Sequence, residues 1–116
     1  MKKYYFVPVL VLLVLSCGCV NTPPQSDVQN LKQALTSEDT SACERIQDKV
    51  MAGACLLNLA VIKDDASICG KITTAPELKL KDKCYMKVGS YKKDASICNS
   101  IQDAKLKGDC LGAQVR

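Results

Sequence analysis

Two stretches of the chain, KDDASICGKI at residues 63–72 and KKDASICNSI at residues 92–101, share the pentamer Asp-Ala-Ser-Ile-Cys letter for letter. A looser copy, Asp39-Thr-Ser-Ala-Cys43, precedes them. Each copy is followed by a second cysteine, so that Cys43, Cys69 and Cys98 are trailed by Cys55, Cys84 and Cys110. An isoleucine stands three residues beyond each first cysteine, at Ile46, Ile72 and Ile101. Cys55 and Cys84 each lie ten residues before the next aspartate, Asp65 and Asp94. These spacings divide the chain into units at 39–64, 65–93 and 94–116, with a period of 26 to 29 residues. The middle unit takes its extra length in KITTAPE, residues 71–77. A period of this size marks one supersecondary unit used several times.

Each unit reads as two short helices. Asp39, Asp65 and Asp94 suit helix N-caps, because a carboxylate accepts from the free N–H groups of a first turn and opposes the positive helix end. Ser41 with Glu44 has the spacing of an alternative capping box. The first helix is expected to be short, since Gln-Asp or Thr-Thr-Ala-Pro soon interrupts it. Asp48 and Asp103 can cap the second helix in units one and three. In unit two Thr74 and Glu77 have capping-box spacing, with Pro76 in the first turn, where its missing N–H costs little.

The second helix carries the apolar stripe. Met51, Cys55, Leu59 and Ile62 recur at helical spacing, as do Leu80, Cys84, Val88 and Tyr91. Val50, Ala54, Leu57 and Val61 add a second stripe, so this helix is expected at the centre of the fold, covered on more than one side. Tyr91 is expected to pack. Residues 27–38, with Val28, Leu31 and Leu35 apolar, read as the second helix of a half-unit. Aligned on Asp39, this half-unit has Gln29 where the others have Cys55 and Cys84. Without a first helix it lacks both cysteines, which favours pairing within units: Cys43–Cys55, Cys69–Cys84 and Cys98–Cys110. Closing loops of this size contributes about 3 kcal/mol each in the chain-entropy model. The expected fold is all-α, a tandem array of helical hairpins each stapled by its own disulfide.

The remaining features concern address. The chain has room for one domain at 116 residues, and its eight cysteines with no Trp and a single Phe point to disulfides and an oxidising compartment. Lys2 and Lys3 form a positive n-region, Val7 to Leu15 an apolar h-region, and SCGC follows at 16–19. LVLSCGC resembles the lipobox of prokaryotic lipoprotein precursors, in which a Cys after a small residue is lipidated and becomes the new N-terminus. That resemblance implies Cys19 as the lipidated residue, with Gly18 before it, and Cys17 as the alternative. Use of Cys19 leaves an even six cysteines in the body. Residues 1–19 then form the signal, 20–26 a polar, proline-containing tether and 27–116 the helical domain. An uncleaved N-terminal anchor is the other reading of the segment, and either one puts the body outside the membrane. The body resembles surface lipoproteins of archaea and bacteria built from Cys-stapled helical repeats, on the strength of Asp-x-Ser-x-Cys-x-x-Ile and the cysteine-to-aspartate spacing. This second resemblance implies architecture and address, and no activity.

Reaction chemistry finds little to stand on. Ser67 and Ser96 lack a histidine to activate them, since the chain has none. In the body no C-x-x-C pair suggests redox exchange, and the one close cysteine pair, Cys17 and Cys19, lies in the signal, so no metal site or cofactor is expected. A net charge of +4, two charges of which are Lys2 and Lys3, is too weak for nucleic acid. Lys79, Lys83 and Lys87, at i, i+4 and i+8, are expected to share one helix face for contact with an anionic surface. The reading is a non-enzymatic interaction or scaffold module, extracytoplasmic and membrane-anchored. Its partner would be an envelope protein or an anionic polymer. A redox- or metal-handling envelope protein is the alternative.

Overall fold

The computed structural model describes residues 22–116. Among them every regular element is helical: α1 (Gln25–Ser37), α2 (Thr40–Glu44), α3 (Lys49–Ile62), a 3-10 helix (Ala66–Lys71), a 3-10 turn (Pro76–Leu78), α4 (Leu80–Lys92), α5 (Ala95–Cys98) and α6 (Ala104–Ala113). The long helices α3 and α4 pack on each other; α1 lies against α3, and α6 against α4. The short elements α2, the 3-10 helix and α5 bridge successive long ones. Lys2, Lys3, the apolar run and both lipobox cysteines, Cys17 and Cys19, lie outside the described residues.

Each long helix is closed and the next short one opened by a single residue. The backbone turns left-handed at Glu38, Asp64 and Lys93, with φ of 51°, 52° and 53°. Non-glycine residues occupy this region at a cost, so the hydrogen bonds around it must offset the strain. The N–H of the following aspartate reaches back to close the preceding helix: Asp39 to Ala34 O at 3.1 Å, Asp65 to Ala60 O at 2.9 Å and Asp94 to Gly89 O at 3.1 Å. This is the six-to-one bond of a Schellman cap. The carboxylate of the same aspartate then accepts from the N–H two residues on, at Ser41, Ser67 and Ser96, each at 2.9 Å. Small residues are needed where the chain folds back so tightly. A Cβ on Gly89 would stand 3.1 Å from Cys110 Sγ and 3.3 Å from Cys98 Sγ.

A second set of carboxylates clamps the loops that precede α3 and α6. Asp27, in the first turn of α1 and fully buried, accepts from the N–H groups of Gln47 and Asp48, both at 3.0 Å. Asp82, in the first turn of α4, accepts in the same way from Gln102 at 3.1 Å and Asp103 at 2.8 Å. Asp48 and Asp103 in turn accept from Met51 N–H at 2.8 Å and Leu106 N–H at 2.9 Å, starting α3 and α6. A clamped loop thus lies between one helix start and the next. The corresponding position of α3, twelve residues before Asp65, is Gly53. There a Cβ would meet Thr74 Cγ2 at 2.6 Å, so the longer loop 72–79 approaches the α3 backbone where the other loops are held by a carboxylate.

This loop also departs from the capping box expected at Thr74 and Glu77. The residue before the 3-10 turn is Ala75, with no side-chain cap, and α4 begins at Leu80 behind a left-handed Lys79. Pro76 starts the 3-10 turn, which ends after one turn before the α-helix begins. Nor is Ser41 with Glu44 the cap of α2, because Asp39 does that work and Glu44 turns to Lys71.

The core is small and heavily cross-linked. Disulfides join Cys43 to Cys55, Cys69 to Cys84 and Cys98 to Cys110, and all six half-cystines are fully buried. One cluster gathers the first two disulfides with Ile46, Leu59, Ile72 and Val88; a smaller one gathers Cys98, Cys110 and Ile101. Tyr85 packs against both. Beyond the small cluster, Gln114 Nε2 donates to Gly89 O and Lys93 Nζ donates to Ala113 O, tying the end of α6 to the α4 junction.

If Asp27 is a clamp, D27A leaves the amides of Gln47 and Asp48 without their carboxylate acceptor. The expected loss of stability is about 1–3 kcal/mol by urea denaturation, with hydrogen exchange rising most at Gln47 and Asp48. An unchanged urea midpoint and unchanged exchange would contradict the clamp.

Candidate functional site

The residues singled out by the sequence fall into three groups in the structure. The six cysteines among the described residues are consumed by the disulfides, buried and away from solvent. The aspartates Asp39, Asp65 and Asp94 sit at the junctions, each with a serine hydroxyl donating to the same Oδ1 at 2.6 Å. That second bond belongs to Ser41, Ser67 and Ser96, so the serine of the pentamer holds the cap in place.

The electrostatics of these pairs follow from the cap. The carboxyls of Asp39, Asp65 and Asp94 are all held below the ordinary aspartate range. The chief cause is the bond from the neighbouring serine hydroxyl, followed by that from the serine N–H. A carboxylate so stabilised in its charged form is a weaker base than a free aspartate, and the Ser67 and Ser96 hydroxyls beside Asp65 and Asp94 are engaged in the cap. The geometry is that of a helix start.

The lysines divide. Lys79 precedes α4, with its backbone left-handed, and its ammonium pairs with Asp103. The expected row of Lys79, Lys83 and Lys87 on one face is therefore broken at its first member. Asp103 is held below the usual range, first by its hydrogen bond from Lys79 and then by that from Leu106 N–H. Lys83 and Lys87 remain exposed on α4. Three further lysines bind backbone or carboxylate oxygens: Lys63 the Glu38 carbonyl at 3.1 Å, Lys92 the Asp64 carbonyl at 2.8 Å, and Lys71 the Glu44 carboxylate at 2.7 Å.

The apolar stripes also divide, against expectation. Cys55, Leu59, Cys84 and Val88 are buried, but Tyr91 is 73% exposed and Ile62 54%. Val50, at the head of the second α3 stripe, is 52% exposed, and Val28 and Leu35 of α1 are exposed as well. The buried side of α1 is marked by Asp27 and Ala34 instead. Helix α3 is covered by its neighbours through Gly53, Leu56, Leu57, Leu59 and Ala60, which leaves the Val50, Ala54 and Ile62 side open. Leu35, Asn58, Val61, Ile62, Lys87 and Tyr91, from three long helices, line a groove of about 330 Å³ on that open side. Periodicity alone assigns these apolar residues to the core. Their lysine neighbours are the signal that this side meets a polar phase.

Two other clefts flank the loop 72–79. One, of about 480 Å³, has Gly53 in its wall and the Lys71–Glu44 ion pair beside it. The other, of about 460 Å³, runs along Ile72 to Pro76. Neither is lined by a serine or a cysteine. Among the described residues no three His, Cys, Asp or Glu side chains are arranged to hold a metal ion, and no helix is long and apolar enough to cross a membrane.

No protein-family model, no curated protein and no solved structure matches the chain.

Because the junction carboxyls have depressed pKa values when folded, they contribute stability that is complete above the unfolded value of about 3.9 and is lost as pH falls through the folded value. Thermal unfolding is therefore expected to be insensitive to the junctions above about pH 5 and to worsen steadily below about pH 4. S41A/S67A/S96A, which removes the largest cause of the shift, is expected to flatten that acid limb. An equally steep limb in the triple variant would contradict the assignment.

Proposed function

We propose that the chain is a membrane-tethered, extracytoplasmic interaction module built from tandem disulfide-stapled helical hairpins. One observation carries this reading: its recurring chemical groups are all engaged in structure. Each pentamer aspartate closes one helix and opens another, each pentamer serine holds the aspartate, and each of the six cysteines among the described residues is a buried half-cystine. What recurs in the chain is a joint, and the same bonds at the same distances at Asp39, Asp65 and Asp94 support the division into units 39–64, 65–93 and 94–116 with a half-unit before them. The middle unit keeps the junction while changing its inner loop, which supports a common unit that tolerates insertion.

The address rests on two further supports. Three disulfides favour an oxidising compartment. The LVLSCGC stretch supports a lipid on Cys19, from which the tether 20–26 leads to α1. A redox or metal-handling role has less to support it, since thiolate chemistry needs an accessible sulfur and these six are buried.

Metabolic labelling with an alkyne fatty acid in a bacterial host tests the tether. The full chain is expected to take up label and lose the mass of residues 1–18; C19A is expected to lose the label, and C17A to keep it. Label retained in C19A and lost in C17A would move the lipid to Cys17. No label on the wild-type chain would overturn the lipoprotein reading.

A further inference from the structure

We infer that the open groove across α1, α3 and α4 is a membrane-contact face that rests on anionic lipid. The inference deepens the proposed function and relies on its tether. Leu35, Ile62 and Tyr91 are all exposed, and Leu35 of α1 and Tyr91 of α4 line the same groove as Ile62 of α3. Apolar side chains from three helices are thus gathered along one exposed groove. Here Tyr91 offers an apolar ring with a polar tip, the kind of side chain that suits a headgroup boundary.

Charge decides the occupant. Lys87 lines the groove, Lys83 stands one turn before it on α4, and Lys32 stands one turn before Leu35 on α1; all three are exposed. No acidic residue lines the groove. Glu38, Asp39, Asp64, Asp65 and Asp94 lie beyond it at the junctions, where Lys63 and Lys92 reach the Glu38 and Asp64 carbonyls. On the helix turns that form the groove, residues 31–35, 54–62 and 83–91, the charged residues are Lys32, Lys83 and Lys87. Lysines around an apolar centre match an anionic headgroup layer over an acyl interior, which attracts the cations while accepting the apolar side chains.

Reach makes the contact available. From Cys19 to Gln25 is six residues, which span at most about 20 Å when extended, so a lipid on Cys19 holds the start of α1 close to the bilayer. Val28, in the first turn of α1, is already exposed.

The chain has no tryptophan, so Y91W introduces a single fluorophore in the groove. The full-length lipidated protein would be reconstituted in vesicles of phosphatidylcholine alone or mixed with phosphatidylglycerol. In the mixed vesicles, the indole emission of Y91W is expected to shift to the blue, acrylamide quenching to fall and brominated lipid to quench it. Salt at about 1 M, which shortens the screening length from about 10 Å to about 3 Å, is expected to reverse all three changes. K83E/K87E in the same background is expected to abolish them while flotation with the vesicles persists. Water-like emission and full acrylamide quenching in mixed vesicles that float with the protein would overturn the face and leave the tether standing. A blue shift equally strong in lipid-free detergent would also overturn it and point to contact between copies of the chain. Failure to float would overturn the tether and this inference together.

Discussion

Of the seventeen apolar side chains buried among the described residues, six are half-cystines. The rest are isoleucines, leucines, alanines and one valine, with no aromatic ring fully inside. Such a core gains little from burial, and a domain this small is marginal on apolar area alone. The disulfides supply the difference by removing freedom from the unfolded chain, about 3 kcal/mol each for loops of this length. Each one joins a short element to the long helix that follows it, across 12 or 15 residues. The short elements α2, Ala66–Lys71 and α5 have four to six residues, below what a free helix needs to persist. They are held in place by the staple and by the aspartate at their head.

This economy explains how much is legible from residue order. The cysteine spacing and Gln29 together favour the pairing, because a half-unit without a first helix also lacks a cysteine at Gln29. The caps at Asp39, Asp48, Asp65, Asp94 and Asp103 are readable from residue type and position. The double role of the junction aspartate is not, since its N–H bond to the previous helix is a backbone property that side-chain identity does not announce. Asp27 and Asp82 are also hidden. Each lies 20 and 21 residues before the amides it clamps, and only the shared Ile-Gln-Asp at 46–48 and 101–103 hints that those loops are held alike.

The open face escapes sequence reading for a related reason. Helical periodicity shows that α3 has two apolar sides but not which one its neighbours cover. Packing is decided by where the neighbours can approach, and two close approaches fall at glycines: the loop 72–79 at Gly53 of α3 and the Cys98–Cys110 disulfide at Gly89 of α4. The larger side chains Val50, Ile62 and Tyr91 are left outside. Lys79 drops out of the row of lysines because an inserted loop delivers it in a left-handed turn, one residue before the helix whose face it was expected to share.

The account rests most on the claim that each hairpin carries its own staple. Digesting the mature protein without reduction and identifying the linked peptides by mass tests this directly. The expected result is three linked pairs, Cys43 with Cys55, Cys69 with Cys84 and Cys98 with Cys110, and no free thiol among the six. Crossed pairs, or six free thiols in protein from an oxidising compartment, would contradict it.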